Sequence, residues 1–255
     1  MNLQRFLLVG AVLSLVFIQG CGDEIIAIDP CAEQTAVTAK FTIYENVSDS
    51  LFASDTVLQY NTIVFKADEN YDTYEWRVGQ DARVFTTKAV TLHFQQPVGR
   101  IEVTLKVTRK PNLSCFPEDD GTDITTKPLT VIDWRNSLVI GEYTGSNKSN
   151  PQAHFDVSMK RTLDIDSFPI YELLNINQGC FRTNLWSGEV GRGAKAFRFS
   201  DYVWYGDGCK GVECWITLLA GDSVRIDYSY GDNSKPFTPS GYPRIRDVYL
   251  GKRKN

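Results

Sequence analysis

Residues Ile101-Glu102-Val103-Thr104-Leu105-Lys106-Val107 alternate apolar and polar side chains without a break. Successive side chains of a strand point to opposite faces, so this run places Ile101, Val103, Leu105 and Val107 on one face and charged or hydroxyl groups on the other. The same period continues outward in both directions. Ile63, Phe65 and Ala67 alternate with polar residues, as do Val90, Leu92 and Phe94. Further on come Phe155, Val157 and Met159, then Val224, Ile226, Tyr228 and Tyr230. Turn-forming clusters separate the runs: Asp68-Glu69-Asn70, Pro97-Val98-Gly99, Gly206-Asp207-Gly208 and Gly231-Asp232-Asn233-Ser234. No long amphipathic helix with caps interrupts them. Short strands of this kind, half-buried and closely spaced, predict an all-β, antiparallel protein built from sandwiches or barrels.

The 255 residues give room for two domains once residues 1–20 are set aside. We expect a first β-sandwich at 36–132 and a second antiparallel β domain at 136–255. The boundary is placed near 117–137, where Pro117-Glu118-Asp119-Asp120-Gly121-Thr122-Asp123 is acidic and turn-rich. A short strand at Pro128 to Val131 closes the first domain, and Trp134 to Ser137 reads as the junction. Strands in the second domain are expected at 138–144, 153–161, 169–176, 195–200, 202–205, 214–219, 222–230 and 243–250. That count fits an up-and-down barrel or a jelly-roll sandwich.

Three stretches of the first domain resemble the PKD family, a small immunoglobulin-like sandwich. Asn61-Thr62-Ile63-Val64-Phe65-Lys66-Ala67 looks like its strand of alternating buried residues. Tyr71-Asp72-Thr73-Tyr74-Glu75-Trp76-Arg77-Val78-Gly79 resembles the strand whose Trp packs between the sheets. Phe94-Gln95-Gln96-Pro97-Val98-Gly99, with the strand from Ile101, resembles the later hairpin. The family's Gly-Asp-Gly is replaced here by Val78-Gly79-Gln80-Asp81. The resemblance implies that Trp76 is core and that the domain is a spacer or interaction module. In the second domain, Gly141-Glu142-Tyr143-Thr144-Gly145 resembles the opening strand of lipocalin-like barrels.

The front of the chain addresses location. Arg5 precedes an apolar run from Phe6 to Ile18, too short to span a bilayer as a finished helix. Ile18-Gln19-Gly20-Cys21 resembles the bacterial lipobox, which implies lipidation at Cys21, a signal peptide at 1–20 and a tether at 21–35. Gly22-Asp23-Glu24 is similar to the acidic tether of surface-exported Bacteroidetes lipoproteins. Asp49-Ser50-Leu51, Asp55-Thr56-Val57 and Asp222-Ser223-Val224 resemble O-glycosylation acceptors of exported proteins from the same group. Together these imply an outer-membrane anchor on the periplasmic or cell-surface face. The other five cysteines, Cys31, Cys115, Cys180, Cys209 and Cys214, are disulfide candidates in an oxidising compartment. Cys31 and Cys115 flank the first domain. Three compete in the second, so one of them stays free or pairs between chains.

Little catalytic chemistry is visible. The chain has two histidines, His93 and His154, neither near a nucleophile motif, and it has no G-x-S-x-G, H-E-x-x-H or P-loop. No catalytic residue, metal ligand set or cofactor is assigned. A net charge of −4 argues against nucleic acid. Aromatic residues gather in the second domain. Trp186, Trp204 and Tyr205 lie in Gly-rich surroundings and are the ligand-binding candidates, whereas Tyr228, Tyr230 and Trp215 read as core. The expected function is a non-catalytic, lipid-anchored envelope protein whose second domain binds a ligand, glycan or partner protein. Its rivals are a carboxylate-dependent hydrolase acting on a polymer, and a structural subunit of an envelope complex.

Overall fold

The computed structural model describes residues 29–163, 169–176, 182–185, 190–200, 209–232, 235 and 243–254. It divides into two compact units, Met1–Thr35 and Ala36–Asn255. The described end of the first unit is a tight turn. There the Asp29 carboxylate accepts the Cys31 N–H at 2.9 Å, and the Ala32 N–H donates to the Asp29 carbonyl at 3.1 Å. The rest of the fold belongs to the second unit and is all β.

Eight strands come first: β1 (Phe41–Val47), β2 (Ser50–Ala53), β3 (Thr56–Leu58), β4 (Thr62–Ala67), β5 (Thr73–Val78), β6 (Ala89–His93), β7 (Gly99–Thr108) and β8 (Thr122–Ile132). They form two four-stranded sheets, ordered β2-β1-β4-β6 and β3-β8-β7-β5. All neighbours are antiparallel except β3, which runs parallel to β8. The inward faces of the two sheets share one core, in which Phe41, Ile63 and Phe65 meet Trp76, Val103 and Leu105. This is a β-sandwich. Trp76 is fully buried, with its ring edge-on to Phe41 at 5.2 Å between centroids and its indole N–H donating to the Thr87 carbonyl at 2.9 Å. A buried indole needs such a partner, because an unpaired N–H would forfeit its bond to water.

The acidic run at 118–123 falls inside the first sandwich. It is the connection between β7 and β8, which pair over ten residues from Gly99↔Val131 to Thr108↔Thr122. Two of its acids hold the entering chain: Asp119 accepts the Val37 N–H at 2.8 Å and Asp123 accepts the Ala39 N–H at 2.6 Å. The short closing strand expected at 128–131 is the end of the much longer β8.

The remaining strands are β9 (Gly141–Asn147), β10 (Asn150–Leu163), β11 (Pro169–Leu174), β12 (Arg182–Leu185), β13 (Val190–Arg192), β14 (Ala196–Ser200), β15 (Cys209–Leu218), β16 (Ser223–Asp232) and β17 (Arg244–Arg253). They make one antiparallel nine-stranded sheet, ordered β12-β11-β10-β9-β17-β16-β15-β14-β13 and curled into a half-barrel. Every strand but two pairs only with its neighbours in sequence. The exceptions are β9 and β17, which join the two runs through the register Asn147↔Tyr249 to Tyr143↔Arg253. This is an up-and-down meander, not the crossed-over order of a jelly roll. The sequence reading lacked β12 and β13, and its strand at 202–205 lies outside the described residues.

One face of this sheet carries a buried core. Tyr143, Met159, Tyr171, Phe197, Ile226 and Tyr249 are among the residues packed there. The Tyr143 hydroxyl donates to the Val139 carbonyl at 2.7 Å, and the Tyr249 hydroxyl to the Tyr143 carbonyl at 3.1 Å. Gly145 lies opposite Gly251, and a Cβ on Gly145 would run into the Leu250 carbonyl. Glycine therefore sets how closely β9 and β17 approach. Among the described residues no helix is long and apolar enough to cross a membrane.

Candidate ligand groove beside Trp215

Cross-strand register assembles the candidate site. Arg198 on β14 lies opposite Trp215 on β15, Trp215 opposite Asp227 on β16, and Asp227 opposite Val248 on β17. The next row runs Glu213, Ser229 and Arg246. Alternation puts these side chains on the face away from the core. Cys214 and Ile216 point inward and are buried, while Trp215 between them is half-exposed. The core reading of Trp215 is thus corrected. In a strand it cannot share a face with Cys214, and the signal was present in Glu213-Cys214-Trp215-Ile216-Thr217.

These rows, together with Lys148 and Ser149 from the turn between β9 and β10, line an open groove of about 700 Å³. The volume is in the range of small-ligand sites. The Arg198 guanidinium lies 5.3 Å from the Trp215 ring centroid, a cation–π contact. Phe52 on β2 of the sandwich lies 5.6 Å from the same ring, tilted by 37°. Both carboxylates on this face are ion-paired. Asp227 takes both ends of the Arg225 fork at 2.7 and 2.6 Å, and Glu213 lies 3.5 Å from Arg244.

A buried clasp holds Phe52 beside Trp215. Glu45 on β1 occupies an inward strand position and is 1% exposed. One carboxylate oxygen accepts the Leu58 N–H at 2.7 Å and the Asn61 amide at 2.8 Å. The other accepts the Ala194 N–H at 2.6 Å, from the turn between β13 and β14. The Asn61 amide also donates to the Arg192 carbonyl at 2.5 Å, and Lys195 pairs with Asp55 at 2.5 Å. Burial pushes the Glu45 carboxyl up to about 7, against the downward pull of its three N–H donors. The bond to Lys195 holds the exposed Asp55 carboxyl below its usual range. The sequence reading missed Glu45. Its signal was one acid in the inward series Phe41, Ile43, Glu45, Val47.

The candidates Trp186, Trp204 and Tyr205 lie outside the described residues, as do Cys21 and Cys180. The side chain of Cys209 is likewise not described. Cys31 and Cys115 are disulfide-bonded. Cys214 is a buried free thiol, and burial pushes its ionisation well above the usual thiol range. Tyr228 and Tyr230 stack at 6.2 Å on the core side, as their strand position predicts. Among the described residues no group of three or more His, Cys, Asp or Glu is placed to hold a metal ion. No protein-family model matches the chain, and no curated protein matches its sequence.

Proposed function

We propose that this is a non-catalytic, lipid-anchored protein of the bacterial outer membrane, in which a PKD-like sandwich carries a β domain that binds a ligand. The anchor is Cys21, and the tether runs to residue 35. The observation that carries the binding reading is the half-exposed Trp215 in an open groove, braced by Arg198 and Phe52. An exposed indole held by neighbours offers contact area with little entropy left to lose on binding. The core packed on one face of the sheet supports a site on the opposite face over a lipocalin-type interior cavity.

A hydrolase reading would use Glu213 and Asp227, which sit diagonally on adjacent strands. One of the pair would have to stay protonated as general acid. Both Asp227 oxygens are instead engaged by the Arg225 fork, at 2.7 and 2.6 Å.

The test is capture. The full-length chain and its Trp215→Ala variant are applied to immobilised envelope polysaccharides and to envelope protein extracts. We expect retention of the parent and loss of retention in the variant at unchanged unfolding midpoint. Equal retention of both would remove the groove as the binding site.

A further inference from the structure

We propose that the groove beside Trp215 takes an acidic saccharide, a ligand whose sugar rings bear carboxylate or sulfate groups. This rests on the binding reading above and adds the charge and class of the ligand. The argument begins with which charges already have partners. Of the three carboxylates lining the groove, Asp227 is taken by Arg225 and Glu213 by Arg244. Asp247 accepts the Ser149 hydroxyl and the Val248 N–H, the latter at 2.7 Å. Lys148, Arg198 and Arg246 line the same groove, and among the described residues none of them has a carboxylate partner. With Arg225 and Arg244, five cations surround three carboxylates on a chain whose net charge is −4. The available charge is therefore positive.

Arg198 gives that charge a direction. Its guanidinium rests over the Trp215 ring at 5.3 Å, which restrains the side chain, and among the described residues no carboxylate pairs with it. A planar fork held in place matches a carboxylate or a sulfate in two parallel hydrogen bonds. The rest of the lining sets the class. Ser149 and Ser229 supply hydroxyls, the paired carboxylates can still accept from ligand hydroxyls, and the large apolar side chains on this face of the sheet are Trp215 and Val248. A hydroxyl-rich ring exchanges its water contacts for such a wall. An acyl chain would need a continuous apolar strip.

The experiment is calorimetric titration of the full-length protein with four probes. Two are acidic: a tetrasaccharide of galacturonic acid and one of chondroitin sulfate. Cellotetraose is the neutral control, and glycerol 3-phosphate stands for a lipid headgroup. We expect at least one acidic tetrasaccharide to bind about tenfold or more tighter than cellotetraose, and to weaken as salt rises. Arg198→Ala and Arg246→Ala each lose about tenfold, and Arg198→Lys falls between Arg198→Ala and the parent, at matching unfolding midpoints. Equal binding of cellotetraose overturns the acidic-ligand proposal and leaves the groove a binding site. Binding of glycerol 3-phosphate alone overturns the saccharide class. Acidic binding that ignores both arginine variants places the site elsewhere. If no probe binds and the capture experiment also fails, the proposal and the binding reading fall together.

Discussion

The Glu45 carboxylate accepts the backbone N–H of Ala194 at 2.6 Å, joining residues 149 positions apart through a group with no cation beside it among the described residues. Burial raises its ionisation to about 7, from 4.5 for a solvated glutamate. Between those values the folded protein holds a proton that the unfolded chain has released. Stability from this group is therefore fullest below about pH 4.5, falls as pH rises through the window and levels off above about 7. The shift corresponds to at most about 3 kcal/mol. Urea unfolding across that range, in the parent and in Glu45→Gln, isolates the effect from other titrating groups. We expect the difference between the two curves to slope downward with pH, and a flat difference would refute the role of Glu45.

The same clasp leaves no room at Gly193. A Cβ there would sit 2.5 Å from the Val47 methyl and 2.9 Å from the Glu45 carboxylate. Gly193→Ala should cost about 1–3 kcal/mol through overpacking. Because both changes disturb one contact, Gly193→Ala and Glu45→Ala combined should cost less than their sum. A double-mutant cycle of unfolding free energies measures this coupling.

Trp76 tests the sandwich core. Trp76→Ala removes a fully buried ring that touches Phe41 and Phe65, and should cost about 3–5 kcal/mol. Trp76→Phe keeps much of the volume but loses the indole bond to the Thr87 carbonyl, so a smaller loss is expected. Equilibrium denaturation of the two variants gives the order.

Cys214 should be inert in the folded protein. It is buried, and its thiolate is disfavoured by that burial and by Asp227. Iodoacetamide at pH 8 should leave the peptide containing Cys214 unlabelled in native protein and label it in urea, as read by mass spectrometry. Fast native labelling would mean that the face of β15 turned toward the core opens readily.

The proposed anchor has its own test. Cys21→Ala should move the protein from washed membranes to the soluble envelope fraction, followed by immunoblot. A variant that stays with the membranes would show that lipidation is not what retains the chain.

Period-two runs such as Ile101 to Val107 were sufficient to read an all-β chain, because burying one face of a strand writes its geometry into the sequence. Edge strands leave a weaker trace. Arg182-Thr183-Asn184-Leu185 and Val190-Gly191-Arg192 show no apolar alternation, and both went unread. The acidic run at 118–123 read as turn-rich from its composition. That Asp119 and Asp123 hold Val37 and Ala39 is a tertiary fact with no local signature. Glu45 and Trp215 differ from these cases. Each breaks the alternation in its own strand, Glu45 as an acid facing inward and Trp215 as an indole facing outward, and so each was legible by parity alone.

The pairing of β9 with β17 also bears on when this protein can fold. The Tyr249 hydroxyl reaches the Tyr143 carbonyl across 106 residues. Until residues 244–253 are synthesised, β9 presents a bare hydrogen-bonding edge, and the two runs of strands have nothing to join them. Closing so long a loop is slow relative to local hairpin formation. The nascent second sheet therefore stays open through most of its synthesis, with a bare edge exposed to edge-to-edge association.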